Sequence, residues 1–545
     1  MRVLSLTRRS SAAVVRAAAD RHAHTVASRH SLAALRIPAL VLTCVALAAG
    51  ASLPAHAKTT ESKSGKSARH GKVPKVPAAA PSAAPLPAAL AKLLATSKVP
   101  AGHVSVLVAK VDNPLQTRGR LPAPLISLNA HVPRNPASTM KLVTTIAALD
   151  TLGPDYRWRT QAFTDGQFDG RTLNGNLYFK GSGDPKLVPE EMEKFVAELH
   201  NAGVTNINGD IVLDRSAYSS DLGAMGAIDG GGDRPYNVAP DALLYSFKAF
   251  SFNFSGNPNG TVNVNVLPPL ANLQVNNELQ AVDAGNCGDW LTRIHPALGQ
   301  SADGSYVAHF SGTYPASCAD KDWSVAAPDR DRFFLGGFRA LWQASGGQFN
   351  GNVRSGTVPA GAHLLVTHRG QTLAEVVHDM NKFSNNVMAR QLFLSLSLGA
   401  DGRTPASVTR SREVLDRWLD KNDLSAPGLV IENGSGLSRR ERISVTELSG
   451  LLQHAINSPT AQVLVESMPT VGVDGTMRNR LTDSPVAGNA HIKTGTLDDV
   501  RAVAGYVGTR TGNIYVVVSI VNDPKANNTR AFNDALISWV YENAP

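Results

Sequence analysis

The sequence predicts a mixed α/β (α+β) protein in which helices and C-terminal strands surround a large, mostly β insertion. Apolar residues recur at helical spacing towards both ends of the chain, whereas residues 158–359 are rich in glycine and asparagine and show short alternating patterns. A length of 545 residues allows two to four domains. We therefore expect one domain built from 88–157 and 360–545, with the insertion at 158–359 made of two nested pieces, the inner one at about 250–325.

The N-terminal segment is typical of an exported protein. Seven arginines up to Arg36 precede an apolar run at 37–51, and Ala55-His56-Ala57 then offers small residues to a signal peptidase. The run is shorter than the roughly 20 residues that a membrane-spanning helix needs. We predict a cleaved signal peptide at 1–57, a periplasmic location and no transmembrane anchor in the mature protein.

The net charge of +9 does not indicate a nucleic-acid partner. Residues 1–75 carry 13 lysines and arginines against two acidic residues, and the remaining 470 residues carry 40 against 42. The basic excess therefore belongs to the leader and to the tail behind it. That tail is rich in Lys, Ser, Ala and Pro and has no apolar period, so we expect residues 58–87 to be a disordered linker.

The elements after the linker follow from the spacing of apolar residues, which is three to four positions for helices and two for strands. We expect helices at about 88–95, 138–152, 332–344, 373–380, 387–398, 410–419, 445–455 and 529–541. We expect strands at 103–111, 177–180, 210–214, 261–267, 305–311, 500–508 and 514–521. The last two strands are joined by an Arg-Thr-Gly turn and precede the final helix.

Two cysteines, Cys287 and Cys318, remain in the mature chain, and both lie in the insertion. In an oxidising compartment an even pair favours a disulfide over two buried free thiols. We therefore predict a Cys287–Cys318 disulfide, on condition that the protein is exported.

Ser138 and Lys141 are three residues apart at the start of a predicted apolar helix, so their side chains share one face. Backbone N–H groups point outward at a helix start and favour negative charge, and the lysine amine could take the proton of the serine hydroxyl. A serine that caps the helix beside a surface lysine gives the same spacing. This pair alone leaves both interpretations open.

Two later segments offer partners for this pair. Ser384-Asn385-Asn386 occupies the turn between two predicted helices, where it also suits an N-cap. Lys493-Thr494-Gly495-Thr496 lies on a predicted strand, where the cation and the hydroxyl suit a carboxylate and Gly495 lets a ligand or another backbone approach closely. The alternative for Lys493 is a charge that protects an edge strand from aggregation.

Taken in order, S-x-x-K, S-x-N and K-T-G resemble the three signatures of the serine penicillin-recognising enzymes. Within that superfamily, the chain resembles the low-molecular-mass class C penicillin-binding proteins, which are D-alanyl-D-alanine carboxypeptidase/endopeptidases. The closer resemblance rests on Gly181-Ser182-Gly183-Asp184-Pro185, Gly209-Asp210-Ile211-Val212, Asn433-Gly434-Ser435-Gly436-Leu437-Ser438-Arg439 and Val503-Ala504-Gly505-Tyr506. The chain departs from the expected pattern at Asn433, where we expect an aspartate.

This resemblance covers residue 88 to the C-terminus. It implies a transpeptidase/β-lactamase-like domain, with an antiparallel sheet flanked by helices and an all-helical part, interrupted by an insertion between the first and second motifs. It also implies hydrolysis of peptidoglycan stem peptides and cross-links, with β-lactams as covalent inhibitors and without a cofactor or a metal.

The resemblance further implies a role for each motif residue. Ser138 would form the acyl-enzyme, with Lys141 as its base. Ser384 would relay the proton to the leaving amine, and Asn386 would hold the peptide amide or orient the lysine. On the predicted strand, Lys493 and Thr494 would bind the substrate carboxylate, and Gly495 would leave room for it. The N–H groups of Ser138 and Thr496 would form the oxyanion hole.

Asp184, in a Gly-Asp-Pro segment of the insertion, has two interpretations. It either contacts a cationic group of the stem peptide or caps a turn. The oligomeric state and the role of the insertion stay open at this point.

Three other function classes are weighed against the hydrolase. A β-lactamase shares the motifs but usually carries a dedicated water-activating residue, and no glutamate stands in a matching short loop. A catalytically silent peptidoglycan-binding protein would not need all six motif side chains. A metallopeptidase is disfavoured because the histidines form no H-E-x-x-H pattern.

Overall fold

The computed structural model describes residues 85–545 apart from 112–122, 221, 223–227, 229–230, 284–285 and 399–403. The predicted signal peptide at 1–57 and most of the predicted linker at 58–87 lie outside the described residues. Within the described ranges, no helix combines the length and the apolar character that crossing a bilayer requires.

The described residues form eleven α-helices, and every helix expected from the sequence is among them. In chain order they are α1 (Ala88–Thr96), α2 (Met140–Leu152), α3 (Pro189–Asn201), α4 (Trp290–Arg293), α5 (Arg330–Ala344), α6 (Leu373–Lys382), α7 (Asn386–Ser395), α8 (Val408–Lys421), α9 (Val445–Ile456), α10 (Ala461–Ser467) and α11 (Arg530–Asn543).

The same part of the chain forms twenty β-strands in five sheets. In chain order they are β1 (Val104–Lys110), β2 (Ile126–Leu128), β3 (Arg157–Thr164), β4 (Gln167–Phe168), β5 (Thr172–Asn174), β6 (Leu177–Gly181), β7 (Asn206–Ile207), β8 (Ile211–Asp214), β9 (Ala249–Gly256), β10 (Val262–Leu267), β11 (Leu273–Val282), β12 (Ile294–Gln300), β13 (Tyr306–Pro315), β14 (Lys321–Ala326), β15 (Gln348–Phe349), β16 (Val353–Ser355), β17 (His363–Thr372), β18 (Ala490–Leu497), β19 (Val500–Gly508) and β20 (Ile514–Asn522).

One antiparallel sheet with the order β18-β19-β20-β1-β2 carries the first and last parts of the chain. Alternate residues of its strands enter two different cores, because side chains in a strand point to opposite faces. Ala502, Ala504 and Tyr506 pack on the side of α2 and α9, whereas Val503 and Val507 pack on the side of α1 and α11. Both faces of the sheet are therefore covered, and β18 and β2 form its two edges.

The middle of the chain forms the other four sheets around a separate aromatic core. Strands β9 to β14 make two three-stranded sheets, and Phe250, Phe252 and Phe254 of β9 are fully buried between them and α5. Cys287 and Cys318 are joined by a disulfide, which confirms the predicted pairing.

Two strands that we did not predict, β3 and β17, pair with each other at the beginning and end of the middle segment. Some of their buried side chains are polar, namely Thr160 and Thr164 in β3 and His368 in β17. The alternation of apolar and polar residues that indicates a half-buried strand is therefore not visible in the sequence. Because β17 belongs to the same sheet as β3, that sheet extends to Thr372, beyond the predicted boundary at 359. The chain returns to helices only with α6.

Candidate active site

Ser138 lies in a one-turn 3-10 helix, Ala137–Thr139, that leads directly into α2. Ala137 has a φ of +45°, a conformation that non-glycine residues adopt only when their surroundings hold them in it. Here the Asn135 side chain holds the turn, since its Oδ1 accepts a hydrogen bond from the Ala137 N–H (2.9 Å) and its Nδ2 donates to the Ser438 carbonyl (2.7 Å). The half-buried Ser138 side chain is thereby fixed at the entrance to a buried helix.

Lys141 is fully buried one turn further along α2, and its Nζ has three partners. Nζ lies 3.0 Å from Ser138 Oγ, 2.7 Å from Asn386 Oδ1 and 2.5 Å from the Ser435 carbonyl oxygen. The last two atoms can only accept hydrogen bonds, so they take the two N–H groups of a neutral amine. The amine lone pair is then left facing the Ser138 hydroxyl, which is the geometry of a base beside a nucleophile.

The surroundings of Lys141 favour this neutral form. Burial, the largest cause, lowers the pKa of Lys141 well below its usual value, and the nearby cations Lys493 and Arg390 lower it further. Glu441 acts in the opposite direction and raises that pKa. The balance therefore favours the neutral amine, the form that can accept a proton.

In the turn between α6 and α7, one residue caps α7 and its two neighbours contact the lysines of the site. Asn385 is the N-cap of α7, with its side chain accepting a hydrogen bond from the Met388 N–H (3.0 Å). Ser384, whose φ is +57°, does not cap the helix, and its Oγ instead accepts a hydrogen bond from Lys493 Nζ (2.9 Å). Asn386, the first residue of α7, reaches Lys141.

Lys493 lies on the edge strand β18 but is fully buried, so it is not an exposed charge that protects an edge. Besides Ser384, its Nζ donates to the Thr494 carbonyl (2.9 Å), and burial lowers the pKa of Lys493 to about 7. A Cβ atom added to Gly495 would lie 2.6 Å from the Pro136 carbonyl, because β18 passes close to the turn that holds Ser138. Thr496 is exposed on the same strand.

Asp184, the remaining predicted site residue, is not brought together with these groups. Its carboxyl group is 2% exposed and accepts a hydrogen bond from the Lys186 N–H (2.8 Å), as expected for a turn cap. Burial raises the pKa of Asp184 to about 6. The carboxyl group does not face open solvent, and its hydrogen bond is the one that the turn-cap interpretation predicts.

Three parts of the site were missed from the sequence. The Ser435 carbonyl contacts Lys141, Glu441 supports the loop that carries it, and Thr476 Oγ1 accepts a hydrogen bond from Thr494 Oγ1 (2.8 Å). Ser435 belongs to a segment singled out only for its resemblance to a family pattern, and Glu441 lies two positions beyond that segment. Thr476 lies in a stretch with no pattern of its own. Within the described residues, no group of three His, Cys, Asp or Glu side chains is placed to bind a metal ion.

The arrangement can therefore carry out nucleophilic acyl transfer. A serine hydroxyl faces a buried amine, and a second serine–lysine pair lies on the adjoining turn and strand. Activation of a serine by a neighbouring base is the usual requirement for forming a covalent acyl intermediate.

Comparison with known proteins places this geometry in a family. The model of the D-Ala-D-Ala carboxypeptidase 3 (S13) family matches residues 87–542. The chain is 26% identical over 437 residues to a D-alanyl-D-alanine carboxypeptidase, DacB, of Haemophilus influenzae, covering 78% of this chain and 87% of the relative. It is 29% identical over 410 residues to the D-alanyl-D-alanine carboxypeptidase of an Actinomadura species, covering 71% and 73% of the two chains. The crystal structure of penicillin binding protein 4 from Haemophilus influenzae matches with a TM-score of 0.64 and 25% identity, covering 82% of this chain and 99% of that one.

Proposed function

Since this chain belongs to the D-Ala-D-Ala carboxypeptidase 3 (S13) family, we propose that it cleaves D-alanyl bonds of peptidoglycan stem peptides through an acyl-enzyme on Ser138. The family and the fold make it a low-molecular-mass class C penicillin-binding protein, a serine D-Ala-D-Ala carboxypeptidase. The proposal adds the individual residues that perform the reaction and the substrate on which they act.

The contact between Ser138 and Lys141 carries the proposal. Lys141 takes the serine proton through its free lone pair while its two N–H groups stay bound to Asn386 and Ser435, so the amine does not have to reorient during the step. The serine oxygen attacks the D-alanyl carbonyl carbon, the peptide C–N bond breaks, and the proton leaves on the amine of the departing residue. Water then hydrolyses the ester.

Ser384 and Lys493 act at the other end of the substrate. The Ser384 hydroxyl passes a proton to the leaving amine, and its contact of 2.9 Å with Lys493 Nζ supports its place in the site. The ammonium form of Lys493 and the hydroxyl of Thr494 bind the terminal carboxylate, and the backbone N–H groups of Ser138 and Thr496 stabilise the developing oxyanion. Gly495 keeps the strand close to Ser138.

We also propose that the protein works outside the cytoplasm. An arginine-rich leader with an apolar run, a cysteine pair that forms a disulfide and a family that acts on D-alanyl peptides all support a signal peptide at 1–57 and a periplasmic enzyme. The division of the chain into a catalytic domain and an insertion, predicted at 158–359, belongs to the same proposal, with the insertion extended to the end of β17 at Thr372.

The first experiment tests the nucleophile. Ser138→Ala should abolish covalent labelling by a fluorescent penicillin, because it removes the hydroxyl that faces the amine of Lys141. Ser301→Ala, at an exposed serine of the insertion, makes the same chemical change and should leave labelling intact. Labelling that persists in Ser138→Ala would show that a different residue is acylated.

The second experiment tests the substrate. Purified protein incubated with monomeric pentapeptide and with cross-linked muropeptides should release D-alanine, as measured by mass spectrometry, and the ratio of products gives the balance of carboxypeptidase and endopeptidase activity. Rapid turnover of penicillin would instead identify a β-lactamase. Penicillin labelling without any product from wall peptides would contradict the proposed substrate.

A further inference from the structure

The loop at 432–436 follows Val430, which pairs with Arg442 in an isolated β-bridge. The backbone of this loop packs against the turn that holds Ser138. Gly434 and Gly436 have φ values of +72° and +80°, and a Cβ atom on Gly436 would collide with the Ala137 carbonyl. Only glycine combines this conformation with such a close approach. The loop therefore packs against Ser138 and Lys141 through its main chain.

Two carbonyl groups of this loop point at α2. The Gly434 carbonyl accepts a hydrogen bond from Thr144 Oγ1 (2.7 Å), and the Ser435 carbonyl accepts one from Lys141 Nζ (2.5 Å). The second contact fixes one of the two N–H groups of the amine. A shift of the loop would release that N–H group and allow the lone pair of Lys141 to turn away from Ser138.

Glu441 holds this loop together with Asn433, whose Oδ1 accepts hydrogen bonds from the Ser435 N–H (2.9 Å) and Ser435 Oγ (2.6 Å). Glu441 is fully buried, and its Oε1 accepts hydrogen bonds from three successive backbone N–H groups, those of Glu432 (2.9 Å), Asn433 (2.9 Å) and Gly434 (3.1 Å). Successive N–H groups that converge in this way form an anion-binding concavity, which a buried carboxylate satisfies. The three peptide units held in this way carry the carbonyls of residues 431–433 and lie directly before the Gly434 and Ser435 carbonyls that contact α2.

The charged groups near Glu441 are two cations and one neighbouring carboxylate. Lys141 on α2 and Arg390 on α7 are the cations that interact with it, and Arg390 is itself buried and donates to the Asn237 and Val238 carbonyls. The neighbouring Glu432 carboxylate is engaged by Ser438 and Arg440. Burial raises the pKa of Glu441, while the surrounding N–H groups and Lys141 oppose that shift.

We propose that Glu441 is a positioning residue for Lys141: it holds the 432–436 loop so that the Ser435 carbonyl fixes the amine, and it supplies a buried negative charge that acts on that amine. This inference rests on the proposed function, because it assigns a role relative to Lys141 as the base. Glu441 does not touch the substrate. It acts through the loop and through its charge.

The proposal has two separable consequences. Removing the whole side chain frees the three N–H groups and the loop, and so disturbs the Ser435 contact with Lys141. Removing only the charge keeps an oxygen that can accept the N–H groups, but takes away the one group that raises the pKa of Lys141. The amine then stays neutral to lower pH.

The experiment compares Glu441→Ala and Glu441→Gln with wild type, using the rate of acylation by a fluorescent penicillin between pH 4 and pH 9. In Glu441→Ala we expect acylation of the folded protein to fall by about 100-fold or more, as for the loss of an orienting group. In Glu441→Gln we expect most of that rate to return at pH 8, while the acidic limb of the profile moves by about one pH unit to lower pH.

Glu447 provides the matched controls. It is another buried glutamate, whose carboxylate accepts backbone hydrogen bonds from Gly428 (2.6 Å) and Ser444 (2.8 Å) as part of a capping box on α9, and it does not contact the loop. Glu447→Ala and Glu447→Gln should lower the melting temperature without moving the acidic limb. Melting curves of all variants correct each rate for the folded fraction.

The outcomes separate the inference from the proposed function. If wild type is not acylated, or Ser138→Ala is, the proposed function fails. If wild type is acylated normally but folded Glu441→Ala reacts like Glu447→Ala, Glu441 does not position the base. An acidic limb at the same pH in Glu441→Gln and wild type, or the absence of a limb in both, overturns the electrostatic part.

Discussion

At the scale of single residues, burial lowers the pKa of both lysines of the site, which favours the proposed role of one and opposes that of the other. Lys141 must lose its proton to act as a base, and burial together with two nearby cations favours that loss. Lys493 must keep a proton to bind a carboxylate, yet burial lowers its pKa to about 7. In the proposed mechanism the substrate carboxylate restores the charge on Lys493, because an opposite charge favours the protonated form.

This difference predicts a pH dependence for substrate capture. Below pH 7 Lys493 is mainly protonated in the free enzyme, and above pH 7 it is mainly neutral, so kcat/KM for a D-alanyl peptide with a free carboxylate should fall as the pH rises through about 7. Lys493→Arg keeps its charge at high pH and should remove this limb, although the maximum rate will be lower. The measurement is D-alanine release between pH 5 and pH 10.

A peptide with an amidated C-terminus is the control for this prediction. It has no carboxylate to bind, so its slow cleavage should lack the limb near pH 7. A limb that persists in Lys493→Arg would assign it to a different group.

The sequence revealed the site residues only as far as local patterns reach. Ser138 and Lys141 share a helix face, and Ser384 stands at a helix–helix turn, so short-range geometry was enough to find them. The Ser435 carbonyl and Glu441 could not be found in this way. The Ser435 carbonyl meets Lys141 across a sequence separation of 294, and a backbone carbonyl has no sequence signature. Glu441 accepts hydrogen bonds from nearby backbone N–H groups, which have no sequence signature either.

At the scale of elements, helices were more predictable than strands for a physical reason. The helices of this protein bury one apolar face, as α6 and α9 do, and their ends carry capping boxes begun by Thr372 and Ser444. Strands β3 and β17 instead bury threonines and a histidine, because these side chains find polar partners in the middle segment. For example, His368 lies 3.2 Å from both Glu191 and Glu198.

The disulfide gives a prediction at this scale. Cys287 and Cys318 close a segment with a sequence separation of 31, so replacing both by serine should lower the free energy of unfolding of the middle sheets by about 2–4 kcal/mol. Penicillin labelling of Ser138 should be unchanged at 25 °C, because both cysteines pack in the aromatic core of the middle segment. Thermal unfolding and labelling, measured on the same samples, check both statements.

Treating wild type with a reductant should reproduce the behaviour of the double serine variant. If reduction or substitution abolishes labelling while the protein remains folded, the middle sheets contribute to the active site more directly than the contacts described above imply.

At the scale of the whole molecule, the buried charges contribute to a stability that depends on pH. Asp184 has a pKa of about 6 in the folded protein, mainly because of burial, against roughly 3.9 in an unfolded chain. The folded state therefore binds more protons between these values, and the contribution of this group to stability is lost as the pH rises from about 4 to 6.

Asp184→Asn removes this dependence, because an amide stays neutral and its oxygen can still accept the Lys186 N–H. We expect the variant to gain about 1–3 kcal/mol relative to wild type at pH 7.5 and little or nothing at pH 4. D-alanine release should stay within about twofold of wild type, since Asp184 is not part of the site. Urea unfolding at the two pH values measures the first effect.

Asp214→Asn is the matched control for Asp184. Asp214 is equally buried, but both of its oxygens accept backbone hydrogen bonds, from Ser216 and Val358 (2.8 Å each), so its replacement should destabilise the protein at both pH values. An equal gain for Asp184→Asn at pH 4 and pH 7.5 would rule out the titration of this group as the cause.

The order of strands in the central sheet has a consequence for the time at which the enzyme becomes active. β1 pairs with β20, with Val104 opposite Val521. β18, which carries Lys493, is connected to β1 through β19 and β20. A ribosome makes these strands last, so a growing chain contains Ser138 long before it has a sheet on which to hold Lys493 beside it. We expect unfinished chains, and fragments clipped before β18, to be inert. The hydrolase activity therefore arises only in completely synthesised molecules.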